Sequence, residues 1–440
     1  MLEQVNDNNI EKMRKSFFKY LIPSMVATVL IGLYIVVDGY FIGNAMGDIG
    51  LAAINLVYPI GSILYSFGMM IGIGGAVLMS ISLGSNDLEN FNKVKVNTFL
   101  TLIFGSVILT IILFIFKNNL ITLLGAKGEI FDEANNYITI IILASFSQTM
   151  SSGCIPMIRN YGKTIHAMSF MATGLIINII LDYFFIYVLR WGMRGAAFAT
   201  VSAQFVVVIL SIYYLFIKKD HRMRIRFSDY DFNIVKRILS IGLSPFGLHM
   251  SPSFIVVIAN LQCLKYGGNI AISAYSVLNY LMSSILLVLE GIAEGCQPLI
   301  SYFQGAKEHK LKINTLKKGI TFALILSLLI FTLLMINRNR VGEFFGSSLE
   351  SNNIINFALP IISFVFIFQS IVRLLTSYFY ASGRDKVSNF ITYLDPLFVS
   401  PLCLFVFPLF LNLTGIWIAL PAAQFILLIV LSIIIIKKPL

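Results

Sequence analysis

The sequence predicts an all-α polytopic membrane protein of twelve transmembrane helices, arranged as two parallel six-helix repeats around a central cavity. Three observations predict it. The chain is 58% hydrophobic and only 12% charged, where soluble domains carry about 25% charged residues. Apolar stretches of roughly 20 residues recur along it, the length that crosses a bilayer as a helix. The second half also echoes the first at a nearly constant offset.

The expected spans are 17–41, 51–77, 94–116, 134–157, 166–188, 194–217, 236–262, 271–298, 317–336, 355–380, 388–410 and 414–436. Backbone groups in lipid must be paired internally, so spans of this length are helices. Their uniform apolarity lacks the alternation of a transmembrane barrel. The order predicts a cytoplasmic tail (1–16), an N-terminal six-helix lobe (17–217), a basic cytoplasmic linker (218–235), a C-terminal six-helix lobe (236–436) and a second tail (437–440).

Charge bias sets the orientation. With the N-terminus in the cytoplasm, cytoplasmic segments hold 24 of the 32 Lys and Arg, outer loops hold 7, and Arg373 falls within a span. The linker is the richest basic stretch. Both termini are then cytoplasmic, with the chain in an inner membrane. The net charge of +11 reports this topology. A nucleic-acid partner would need a soluble basic face, and none is readable. The N-terminal residues MLEQVNDNNIEKMRKSFF have no apolar core or cleavage site ahead of the first span, so they read as a cytosolic tail.

The repeat is legible position by position. Pro23 and Pro245 lie near the starts of spans 1 and 7, and fifteen residues later stand Asp38 and Asn260. Gln148 matches Gln369, YGK at 161–163 matches SGR at 382–384, and RGAAFATVSAQ (194–204) matches TGIWIALPAAQ (414–424). An even number of spans per half makes the repeats parallel, the arrangement of carriers whose two bundles rock about a central path. No filter-like re-entrant motif suggests a channel.

Cys154, Cys263, Cys296 and Cys403 are scattered, with no CxxC pair, so no metal site is expected. No catalytic residue is expected either. His249, inside span 7, reads as a packing residue.

Ionisable groups within spans are costly and point to function. Asp38 has Tyr34 one turn earlier on the same helix face. A carboxylate withdrawn from water keeps its proton more readily, so the pair reads as an ion-coupling site for H⁺ or Na⁺. Asp182 has Asn178 at i−4, and Glu290, Glu294 and Gln297 form a stripe at i, i+4, i+7. These five read as substrate-binding. Asp395, ahead of Pro396, is expected to pair structurally with Arg373. Glycine and proline crowd the first two spans of each half, and Pro23 and Pro245 are placed to kink their helices. With Arg373 the lone basic group in the spans, a cavity of negative potential favours organic cations over phosphates.

The segments YIVVDGYFIGNAMGDIGLAAINLVYPI (34–60), GIGGAVLMSISLG (72–84), IRNYGK (158–163), NIILDYFFI (178–186), GMRGAAFATVSAQ (192–204), EGIAEGCQPLISYFQGAK (290–307) and ASGRDK to LTGIWIALPAAQ (381–424) occur in this order over nearly the whole chain. In this the sequence resembles the multidrug and toxic compound extrusion (MATE) family, and within it the MepA-like branch of the DinF-type bacterial members. The resemblance implies two parallel lobes and export of drugs against H⁺ or Na⁺ influx. Asp38 matches the family's span-1 aspartate, while Asp182 and Glu290 match the span-5 aspartate and span-8 glutamate of the branch. Relatives usually have Arg near the position of Asp395 and often a neutral residue near Glu294. Norfloxacin-like antibiotics, ethidium-like dyes and biocides are implied as a substrate class.

The expected function is therefore secondary active antiport of organic cations and amphipathic drugs against H⁺ or Na⁺, with no other cofactor, in a lipid bilayer, one chain forming the path. The alternative is a related flippase or exporter of a lipid-linked or polar metabolite, which would want basic residues in the cavity. A membrane enzyme would need a nucleophile–base pair or metal ligands at one depth, and a scaffold would have little use for buried carboxylates.

Overall fold

A computed structural model describes residues 9–217 and 230–437, with side chains from Ser16 onward. Among these residues every regular element is helical. The linker residues 218–229, and tail residues 1–8 and 438–440, lie outside the described residues.

The first half comprises α1 (Asn9–Gly84), α2 (Leu88–Leu123), α3 (Gly128–Leu143), α4 (Ser145–Asn160), α5 (Thr164–Asp182) and α6 (Gly192–Ile212). Helices α5 and α6 continue into π-helical turns at Tyr183–Val188 and Tyr213–Ile217. The second half comprises α7 (Phe232–Gly305), α8 (His309–Ile336), a short α9 (Arg338–Phe344), α10 (Leu349–Ile362), α11 (Phe364–Ala381), α12 (Asp385–Leu394), a π turn at Asp395–Val399 and α13 (Ser400–Lys437).

Several loops expected between spans are not loops. Helix α1 carries spans 1 and 2 and leaves helical torsions at Gly47 (φ 60°, ψ −148°). This region of backbone space is essentially reserved for glycine. A Cβ placed on Gly43 would sit 3.1 Å from the Leu51 side chain, eight residues away, or about 12 Å along a straight helix. The chain therefore folds back at one residue. Helix α7 does the same at Gly268 (φ 63°, ψ −160°), and α13 breaks at Asn412 (φ 51°, ψ −135°). Pro23 and Pro245, read as kink points, stay inside helical backbone; the breaks fall at these other positions. The expected span 134–157 is bent by 58° between α3 and α4, at Ala144. Span 355–380 is likewise divided between α10 and α11 at Ser363.

The repeat is written in the backbone. Left-handed torsions occur at Gly47 and Gly268, Asn86 and Lys307, Gly125 and Gly346, Gly162 and Gly383, and Gly192 and Asn412. Each pair is separated by 220 or 221 residues. Three of these pairs are glycine in both halves, and at Asn86/Lys307 and Gly192/Asn412 the positive φ persists where the residues differ.

The chain packs into two compact units, one up to His249 and one from Met250. In the first, Ile60, Leu64, Ile138, Ile142, Ala196 and Ala197 form the centre of an apolar core. The glycine cluster of α1 serves close approach. A Cβ at Gly72 would fall on the backbone of Gly153 in α4, and one at Gly75 on the side chain of Thr98 in α2. The first turns of α7 belong to this unit for the same reason. A Cβ at Gly74 would strike the carbonyl of Ile238, and one at Gly242 the carbonyl of Met70.

Candidate ion and substrate sites

Four helices of the first unit deliver polar groups to one buried point. Helix α1 brings Tyr34 and Asp38 one turn apart, and α5 brings Asn178 and Asp182 one turn apart. Helix α6 adds Thr200 and α3 adds Tyr137. Asp38 is 7% exposed, and Asp182 and Asn178 are 0% exposed. Asp38 lies within continuous helix, well before the break at Gly47, so it is not a helix-end residue facing water.

The donors are few. Thr200 Oγ1 donates to Asp38 Oδ2 at 3.3 Å, and the Tyr34 hydroxyl donates to the Thr200 carbonyl at 3.4 Å. Asp38, Asp182 and Asn178 are immediate electrostatic neighbours, with Tyr34 and Tyr137 in range of both carboxylates. Among the described residues, Asp38 Oδ1, both oxygens of Asp182 and both polar atoms of the Asn178 amide lack a geometric hydrogen-bond partner. Two ionised carboxylates side by side with a single hydroxyl donor, Thr200, is a high-energy arrangement. A proton or a small cation between them relieves it. The carboxylate, amide and hydroxyl oxygens of this cluster are the hard ligands such an ion takes.

The arrangement joins residues that the sequence reading had put in separate roles. Asp182 and Asn178, assigned to substrate, sit with Asp38 and Tyr34, assigned to the ion. Thr200 and Tyr137 were not singled out. A signal for both existed: their repeat counterparts are Leu420 and Ala358, so each is a polar group where the other half has an apolar one.

The second unit holds a different constellation. Arg373 on α11 pairs with Glu290 on α7, Nη1 to Oε1 at 3.2 Å. Asp395 opens the π turn after α12, accepting from Ser400 Oγ at 2.6 Å and from Gln424 Nε2 at 2.9 Å. Arg373 is also within electrostatic reach of Asp395. The expected Asp395–Arg373 couple is thus a trio in which Glu290 takes the resolved ion pair. Further along the stripe, Glu294 is buried, and Gln297 donates to Ser301 on its own helix at 3.0 Å. Asn260, the repeat partner of Asp38, has an amide oxygen without a partner among the described residues.

Arg373 is not the lone basic group in the spans. Lys95, counted with cytoplasmic residues from the sequence, is buried in α2. Its Nζ donates to the Leu215 carbonyl at 2.7 Å and lies 5.8 Å and 5.6 Å from the Tyr161 and Phe216 ring centres. A long side chain ending in a carbonyl and two aromatic faces is a satisfied structural cation. All four cysteines are buried and free. His249 meets the Tyr65 ring edge-on at 5.3 Å.

The MatE family profile matches residues 23–184 and 249–405. The chain belongs to the MatE family. The two matched stretches include Asp38, Asn178, Asp182, Glu290, Arg373 and Asp395. Multidrug export protein MepA of Staphylococcus aureus (strain NCTC 8325 / PS 47) is 26% identical over 412 residues, covering 91% of this chain and 89% of that one. MepA of Staphylococcus haemolyticus (strain JCSC1435) is 24% identical over 404 residues, covering 91% and 88%. Among solved structures, an outward-facing multidrug resistance MATE family transporter of the MOP superfamily superposes with a TM-score of 0.89 at 23% identity, covering 97% of each chain. A MOP superfamily transporter from Pyrococcus furiosus, described as having a binding pocket of reverse polarity, superposes with 0.90 at 22% identity, covering 99% and 100%. The MatE fold is therefore that of a multi-pass membrane transporter, and the sequence-based fold class holds.

Proposed function

We propose that this MatE protein is a secondary active antiporter that exports organic cations and amphipathic drugs in exchange for H⁺ or Na⁺ by alternating access. The single observation that carries the reading is the Asp38–Asp182 pair: two adjacent buried carboxylates, three of whose four oxygens lack a donor among the described residues. A structural pair would have been supplied with partners; this one is built to take a small cation or a proton. The MepA relatives are named for multidrug export, and that supplies the cargo class.

In this reading the lobes are residues 17–217 and 236–436, with both termini in the cytoplasm. Asp38 and Asp182 act with Asn178, Thr200, Tyr34 and Tyr137 as one ion site, and Glu290 with Glu294 and Gln297 faces the cationic cargo. An ion drives transport only through unequal affinity for the two states. Uptake from outside neutralises the pair, repacks the helices that carry it, and lowers affinity for the cargo. Pro23, fifteen residues before Asp38 on α1, is placed for helix bending to follow neutralisation.

Purified protein in proteoliposomes, with proton and sodium gradients imposed separately, tests this directly. Ethidium movement driven by one gradient and lost in Asp38→Asn is the expected result. Gradient-driven movement that survives Asp38→Asn removes the pair as the coupling site.

A further inference from the structure

We propose that Arg373 is a built-in counter-ion of the cargo carboxylate Glu290, and that Asp395 receives Arg373 when an organic cation takes its place. The inference rests on the proposed export of organic cations and adds a specificity device to it.

The geometry of the trio carries the argument. Arg373 Nη1 stands 3.2 Å from Glu290 Oε1, an ion pair that an arriving cation must contest. The two side chains retain 15% and 17% exposure, so the pair is not fully enclosed by the chain. A cation arriving at Glu290 must compete with a guanidinium already there. Pushing that guanidinium away would ordinarily strand a charge inside the bundle, which is strongly unfavourable. Here a second carboxylate stands within electrostatic reach.

Asp395 is equipped to wait. Its two oxygens are held by neutral donors, Ser400 Oγ at 2.6 Å and Gln424 Nε2 at 2.9 Å, which keep it solvated while Arg373 is elsewhere. The π turn at Asp395–Val399 makes this possible. In an α-helix position i+5 faces away from position i, whereas a π turn brings Ser400 over Asp395. The trio also has no equivalent in the first half. At the 221-residue offset, Glu290, Arg373 and Asp395 correspond to Met69, Ser152 and Gly174. It is a specialisation of one half and not a relic of the repeat.

One guanidinium shared between two acids makes cation binding an exchange. Cargo displaces Arg373 toward Asp395, and return of Arg373 to Glu290 expels the cargo. Arg373 is thus a specificity-determining residue and Asp395 a positioning residue that acts through it.

Equilibrium binding of ethidium to the purified full chain, followed by fluorescence anisotropy, tests this without any need for transport. The expected results are about tenfold weaker binding for Asp395→Asn, restoration by Asp395→Glu, and tighter binding for Arg373→Met. In the Arg373→Met background, Asp395→Asn should have no further effect, because the residue it serves is gone. A merely structural Asp395 would lower affinity equally in both backgrounds, which overturns the proposal. If Asp395→Asn does not yield monodisperse protein, Arg373→Met decides alone: unchanged or weaker binding overturns it. Wild-type protein that binds ethidium with Asp395→Asn unaltered sinks this proposal and leaves the antiport reading standing. Wild-type protein that binds no ethidium sinks both.

Discussion

Thr200 touches Asp38 through its side chain and Tyr34 through its backbone: Oγ1 donates to Asp38 Oδ2 at 3.3 Å while the carbonyl accepts from the Tyr34 hydroxyl at 3.4 Å. The two contacts can be separated by mutation. Thr200→Val removes the first and keeps the shape and the second. A hydrogen bond to a charged group is worth about 1.5–3 kcal/mol, so the apparent affinity for the ion should move by about tenfold or more. The direction reads out the ion. If Na⁺ is the ion, the variant loses an oxygen ligand and needs more Na⁺. If H⁺ is the ion, the ionised acid loses a stabilising donor and the variant is driven by less acid. Ion-dependence of ethidium efflux in proteoliposomes measures it.

With Asp38 and Asp182 acting as the one site proposed above, their substitutions should not add. Asp38→Asn, Asp182→Asn and the double variant are expected to lose gradient-driven export to the same extent. Each single variant also places a further amide donor beside carboxylate oxygens that have no geometric partner now. The single variants should therefore melt higher than wild type in ion-free buffer, and should no longer gain stability when the ion is added. Thermal unfolding in detergent reports both effects.

Asn412 adopts φ 51°, ψ −135°, where its repeat partner Gly192 has φ 53°. Residues other than glycine are held there at a cost of order 1–3 kcal/mol. Asn412→Gly should stabilise the protein by about 1 kcal/mol. Gly47→Ala should destabilise it by a similar or larger amount. A Cβ at Gly47 meets nothing within 4 Å, so its loss reports backbone strain alone.

Gly242→Ala places a methyl against the carbonyl of Met70, where α1 and the start of α7 meet backbone to backbone. Overpacking of this kind costs about 1–3 kcal/mol. The expected outcome is a lowered melting temperature, whereas Gly61→Ala, inside α1 with open space around it, should raise it, since glycine in a helix interior costs about 0.5–1 kcal/mol relative to alanine.

The fold class was readable because each of its causes is local: apolar length, basic bias and a repeated pattern. Where the chain turns was readable too, since Gly47, Gly268 and Asn412 fall in the gaps between expected spans. How it turns was not, because a single residue in the right torsion replaces a loop that sequence reasoning expects to be several residues long. The carboxylates were readable one at a time, since an acid in an apolar run stands out. Their grouping was not, because it depends on which helices touch. Asp182 was bound to Asp38 by packing between α5 and α1, which no spacing along the chain reports. Thr200 was missed because a threonine in a membrane helix is ordinary until its neighbour is known. Lys95 was misplaced for the opposite reason. A lysine near the end of a span looks like a surface charge unless one knows that a carbonyl and two rings enclose it.

The five pairs of matched torsions have a further consequence. Of their ten positions, seven are glycine; the other three are two asparagines and a lysine. At Asn86/Lys307 and Gly192/Asn412 the residue has changed between the halves while φ has stayed within 3°. Such a pattern is what a doubled ancestral gene leaves behind when each copy is free to change its chemistry but not its corners. The angles are thus a longer memory of descent than the letters. They also mark where the two copies can still be exchanged: a chimaera joined at one of these corners meets a partner that turns the same way.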